Sequence, residues 1–121
     1  MVNALFDTNV LIDYLNGIDA ARAELERYAS RAISVITWME VLVGTTPAEQ
    51  ATVRAWLESF EVIDLDAAVA ARAVEIRRQT RIRLPDAIVW ASAQVGSRLL
   101  VSRNTKDFPA DEPGVRVPYR L

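Results

Sequence analysis

The chain has 121 residues, 51% of them apolar, and a net charge of −2, enough for one domain with a real core and no charge excess pointing to a polyanionic partner. It contains neither cysteine nor histidine, which excludes a disulfide framework, a zinc site of the usual kind, a Ser-His-Asp triad and a Cys-His pair. Any metal bound here is therefore a hard cation held by oxygen.

The apolar run Val2 to Phe6 predicts a buried strand that ends abruptly at Asp7-Thr8-Asn9. Val10, Leu11, Tyr14 and Leu15 then recur at helical spacing, and Gly17 closes that segment. A polar helix is expected over Ile18–Ala29, a short strand over Ile33–Ile36, and a helix from Trp38 to Val43, opened by Thr37 and ended by Gly44. Thr46-Pro47-Ala48-Glu49 reads as the start of a fourth helix running to Ser59, with cap, first-turn proline and Glu in place. Glu61-Val62-Ile63 is a strand, and Asp66 caps a fifth helix through Gln79. Arg72, Arg77, Arg78, Arg81 and Arg83 crowd its end, either as a solvated face complementing the helix dipole or as a phosphate-facing patch. Leu84-Pro85-Asp86 opens a sixth helix, Ala87–Val95, apolar nearly all round. Leu99-Leu100-Val101 is a strand running into the polar loop Ser102–Pro109, and Val115-Arg116-Val117 is an edge strand. Strands alternating with helices predict an α/β fold, with a mainly parallel sheet of four to five strands covered on both faces. A strand beginning at residue 2 leaves no room for a signal peptide, and no apolar run approaches membrane-spanning length, so a cytoplasmic protein is expected.

In such a sheet, ligands bind at the carboxyl ends of the strands. Asp7 follows the first strand, Glu40 lies one turn into the helix after the second, Asp86 opens the sixth helix, and Asn104 follows the fourth strand. With right-handed crossovers these four converge on one edge. Each also has an ordinary role open to it. Asp7 or Asn9 suits a helix cap, Glu40 stands at capping-box spacing from Thr37, Asp86 suits a helix dipole, and Asn104 suits a turn. Three carboxylates in one cleft repel one another unless a divalent cation neutralises them, and magnesium suits such a cluster.

The order of LFDTNVLIDYL, ISVITWMEVLVG, RLPDAIVWASAQVG and LLVSRNTKDF resembles the PIN-domain ribonucleases, and more closely the VapC-type toxins of bacterial toxin–antitoxin pairs. The resemblance runs from Val2 to Phe108 and implies a single PIN-like, three-layer domain over residues 1–121. It implies metal-binding carboxylates at Asp7, Glu40 and Asp86, and a fourth position, often Asp in that family, filled here by Asn104. Thr8, Asn9 and Thr37 match polar supporting positions, and Asp107 matches a recurrent acidic position in the last loop. With three acids instead of four, the hold on a second metal is weakened. The chemistry implied is hydrolysis of an RNA phosphodiester by water, with Mg²⁺ or Mn²⁺ on Asp7 and Asp86 and with Glu40 orienting or deprotonating the water. The resemblance also supplies a tRNA or rRNA substrate, a homodimer and a small VapB-like antitoxin covering the cleft. A haloacid-dehalogenase-like phosphatase needs a second Asp where this chain has Asn9, and a receiver domain needs paired acids that are absent. A catalytically silent PIN-like protein-binding scaffold is the remaining alternative, and the three acids speak against it.

Overall fold

The computed structural model describes residues 2–121. In chain order the elements are β1 Asn3–Phe6, α1 Thr8–Leu15, α2 Asp19–Glu26, β2 Ser30–Ser34, α3 Val35–Val43 and α4 Gln50–Leu57. They continue with β3 Glu61–Ile63, α5 Ala67–Gln79, α6 Leu84–Val95, β4 Leu99–Val101 and β5 Val115–Arg116. All strands pair in parallel, in the order β3-β2-β1-β4-β5, so the first strand is the central one.

A parallel sheet must be covered on both faces, and the strand period of two delivers alternate side chains to each cover. Leu5 of β1, Ala32 of β2 and Leu100 of β4 point into one core with α5, α6 and Phe108. Ala4, Phe6, Ile33 and Val101 point the other way, into a second core with residues of α1 to α4. There Phe6 meets Tyr28 and Phe60 edge-on, at ring-centroid distances of 5.6 and 6.4 Å. Each fully buried side chain of this size contributes about 1.5–3 kcal/mol by leaving water, which fixes β1 and hence the residue that follows it. The three-layer, parallel α/β architecture expected from the sequence is the one observed.

Several boundaries differ from expectation by a few residues; two of them are instructive, and one of these matters for the site. The second strand is Ser30–Ser34, not Ile33–Ile36, because the Ser34 hydroxyl accepts from the Ile36 N–H at 3.1 Å and starts α3 there. Val35 and Ile36 are thereby drawn into a helix despite their β-branched side chains, tertiary packing overriding a weak local preference. Thr37 thus becomes the third residue of α3, fully buried, and not its cap. At the fourth helix, Thr46 and Glu49 do pair, the Thr46 N–H and hydroxyl donating to Glu49 Oε1 at 3.2 and 2.8 Å. That pairing stabilises only a turn, and the α-helix begins at Gln50. Asp66 caps α5 as expected, accepting from the Val69 N–H at 2.9 Å, and Gly17, with φ +80°, supplies the left-handed residue after α1.

Candidate active site

Asp7 is the hinge between β1 and α1. Its N–H donates to Val101 O at 2.9 Å, extending the β1–β4 pairing, and its Oδ1 caps α1 by accepting from the Thr8 N–H at 2.8 Å. The capping role is therefore real, and it occupies one oxygen only. Oδ2 accepts from the Ser102 hydroxyl at 2.7 Å and from Asn9 Nδ2 at 3.2 Å. Asp7 is 5% exposed, and its carboxyl is pushed up to about 6. Burial is the main cause; the bonds from Ser102 and Thr8 oppose it, and the charges of Asp86 and Glu40 add to it.

Glu40 is the sixth residue of α3, so the capping-box alternative falls away with Ser34 as the cap. Its Oε1 accepts instead from the Thr8 hydroxyl at 2.7 Å, and the Thr8 and Thr37 hydroxyls stand 3.0 Å apart. Thr8 and Thr37 thus set the position of an otherwise exposed carboxylate. Asp86 lies in the first turn of α6. Its pKa is raised by burial, then by Asp107 and Glu40, against the pull of Arg83. An open cleft of about 380 Å³ is lined by Asp7, Thr8, Asn9, Glu40, Asp86 and Asn104, together with Ile12, Asp13 and Arg103.

Asn104 and Asp107 form a closed pair: Asn104 Nδ2 donates to Asp107 Oδ2 at 2.9 Å, and the Asp107 N–H donates to Asn104 Oδ1 at 3.2 Å. Asp107 does not line the cleft; it lines a neighbouring cavity of about 430 Å³ with Arg81, Trp90 and Lys106. A larger cavity, about 560 Å³, opens at the amino edge of the sheet with Glu112 as its one carboxylate, so size does not pick out the chemistry. Of the arginine cluster, Arg72 is tied to Gln94 and Glu75 and Arg77 to the Thr80 carbonyl.

Three residues here were missed as individuals by sequence reasoning. Ser102 is 1% exposed and joins Asp7, Asn9 and the Asn104 N–H, at 2.7, 3.2 and 3.0 Å. Asp13 and Arg103 pair at the cleft wall, with Arg103 Nε and Nη2 donating to Asp13 Oδ2 and Oδ1 at 2.6 and 3.0 Å. The donor set around the cleft is oxygen throughout, as a hard cation requires. Among the described residues, however, no three carboxylates are gathered closely enough to enclose an ion by themselves.

A parallel sheet with an acidic carboxyl-edge cleft, Asp7 at its centre, defines a class, and the chain belongs to it: residues 4–110 match the PIN domain family. Ribonuclease VapC10 of Mycobacterium tuberculosis is 34% identical over 116 residues, covering 89% of this chain and 87% of that protein. A toxin–antitoxin complex from Klebsiella pneumoniae contains a chain 45% identical, with TM-score 0.92, covering 98% of this chain and 100% of that one. VapBC2 from Rickettsia felis, bound to a DNA fragment from its promoter, is 25% identical with TM-score 0.77, covering 96% of each chain.

Proposed function

We propose that the chain is a Mg²⁺- or Mn²⁺-dependent endoribonuclease and the toxin of a toxin–antitoxin pair, residues 1–121 acting as one domain in the cytoplasm. The observation that carries the chemistry is Asp7, a buried carboxylate raised to about 6 that shares an open cleft with Asp86 and Glu40. A divalent cation offsets both the burial of that charge and the added repulsion from Asp86 and Glu40. The spread of the acids suits an ion that keeps part of its water and takes only one or two carboxylates directly. Bound there, such an ion would neutralise charge on the scissile phosphate and make a water more acidic.

Asp7 and Asp86 are the residues that would hold it, Asp7 being fixed in direction by Ser102, Asn9 and the Thr8 N–H. Glu40 keeps Oε1 on the Thr8 hydroxyl, which leaves Oε2 to orient the attacking water and take its proton. Asn104 Oδ1 already accepts from Asp107, and its remaining lone pair is available to a water in the cleft. With no histidine or cysteine in the chain, attack by water is the route these groups serve.

RNA as substrate rests on the similarity to a ribonuclease, and the antitoxin partner on the toxin–antitoxin and VapBC complexes among the structural neighbours. On that footing the substrate is a tRNA or rRNA loop, the protein is a homodimer, and a small VapB-like antitoxin covers the cleft. Sequencing RNA 5′ ends after brief induction tests the reading. A small set of new ends is expected with the wild type and none with Asp7→Asn; identical ends from both proteins would refute it.

A further inference from the structure

We propose that Arg103 is a substrate-contacting catalytic residue, whose guanidinium, forked onto Asp13 at the wall of the acidic cleft, receives the scissile phosphate. The proposal rests on the ribonuclease reading above. Among the described residues lining the cleft, Arg103 is the one cation beside Asp7, Glu40, Asp86 and Asp13. Its bonds to Asp13 engage Nε and one N–H of Nη2. Of the three remaining N–H groups, the two of Nη1 and the second of Nη2, the Tyr119 hydroxyl is near enough to engage one, and no other protein partner appears among the described residues. The side chain is 30% exposed, so these donors are reachable, and the fork fixes the plane in which they lie. A guanidinium held this way matches the geometry of phosphate oxygens and is in place before charge builds on them.

The anchor is built to hold direction. Asp13 is 6% exposed and accepts a third bond from the Tyr119 hydroxyl at 2.6 Å, so Asp13 and Tyr119 are positioning residues for Arg103. Arg103 is also located through its backbone, whose N–H donates to Asn9 Oδ1 at 3.2 Å, and Asn9 in turn touches Asp7. The same construction occurs a second time. Arg116 Nε and Nη2 fork onto buried Glu24 at 2.7 and 3.0 Å, and the Tyr28 hydroxyl donates to the same carboxylate at 3.0 Å. That second staple lines no part of the cleft. One design thus appears once as a pure staple and once at the cleft wall, which provides an internal control.

The experiment compares Arg103→Gln/Asp13→Asn with Glu24→Gln/Arg116→Gln, each replacing a charged fork by uncharged amides so that no buried charge is left unpaired. Total bacterial RNA is cut in Mn²⁺ with protein in excess, and new 5′ ends are counted over a range of protein and salt concentrations. For Arg103→Gln/Asp13→Asn, the saturating rate is expected to fall roughly 10²-fold, the scale for losing one preorganised donor to a charged transition state. The salt dependence of half-saturation should lose about 0.7 in slope, the value of one phosphate contact on a single strand. Glu24→Gln/Arg116→Gln should melt lower yet keep both. Arg103→Lys, which retains charge against Asp13 and so folds, should keep the salt slope and lose rate. Wild-type rate and slope in Arg103→Gln/Asp13→Asn overturn the proposal, as does an equal loss in the Glu24 pair. A wild type that makes no new ends refutes the ribonuclease reading itself, and the proposal falls with it.

Discussion

Replacing Asp7 with Asn should make the metal-free protein more stable at neutral pH while destroying its activity. In the fold the carboxyl rises from its ordinary 3.8 to about 6, which at 1.36 kcal/mol per pH unit amounts to about 3 kcal/mol against the charged form. Below about pH 4 the group is protonated in both folded and unfolded chains and the penalty is absent. Between about pH 4 and 6 the unfolded chain ionises first, so stability falls; above about 6 the penalty is constant. Asn carries no such penalty, but its amide N–H would point at a Ser102 hydroxyl that already accepts from Asn9 and Asn104. That mismatch costs about 1 kcal/mol, the scale of a net hydrogen bond. The difference is therefore about 2 kcal/mol in favour of Asn at pH 7, or roughly 8 °C in Tm at about 4 °C per kcal/mol for a domain of this size. Near pH 4 the order reverses, with wild type ahead by about 1 kcal/mol. Melting both proteins in EDTA at stepwise pH reads the crossing directly. Adding Mn²⁺ should raise wild type alone, since a ligand that binds only the native site stabilises it. A difference that does not vary with pH, or an Asn variant that is less stable at pH 7 in EDTA, would refute the account of Asp7.

Glu40→Gln removes no helix cap, so its Tm should stay within the few degrees that correspond to about 0.5 kcal/mol at a surface position, while RNA cleavage is abolished. Asn104→Asp sets a new carboxylate against Asp107, now 2.9 Å away across a donated bond. In EDTA it should lose about 1.5–3 kcal/mol of stability, the scale of a bond to a charged group, and it should gain more than wild type on adding Mn²⁺, as melting curves will show. Among the described residues, Arg78 and Arg81 lack local partners like those that hold Arg72 and Arg77. Replacing both with Gln should lower the salt slope of RNA binding by about 0.7–1.4, and an unchanged slope would assign them to the solvated face or the antitoxin.

The sequence made β1, Asp7 and the Asp66 cap legible because each depends on neighbours in the chain: an apolar run, an abrupt polar stop, a helix after an acid. The β2–α3 boundary was not legible. Ala32 to Ile36 is rich in β-branched residues, and only the Ser34 cap and the packing around Thr37 decide where the strand stops. The topology placed Asp7, Glu40, Asp86 and Asn104 on one edge, and they do line one cleft. Their individual duties came from contacts that no local pattern encodes. Thr8 meets Glu40 across 32 positions, Asp7 meets Ser102 across 95, and Asp13 meets Tyr119 across 106. The Asn104–Asp107 pair, three residues apart, and the bonds Asn9–Asp7 and Asn104–Ser102, two apart, are the supporting contacts within reach of a turn-level reading.

The central place of β1 governs when this protein can become active. Asp7 pairs through its N–H with Val101 and accepts from Ser102 across 95 positions of chain. The Tyr119 hydroxyl that holds Asp13 lies 106 positions from it. Contacts so distant in sequence form late and slowly, because the intervening loop must close first. Until Val101 and Ser102 have been synthesised, the chain therefore carries its acids apart, with no assembled cleft. The cleft is complete only once residues near 101 and 119 have joined the fold begun by β1.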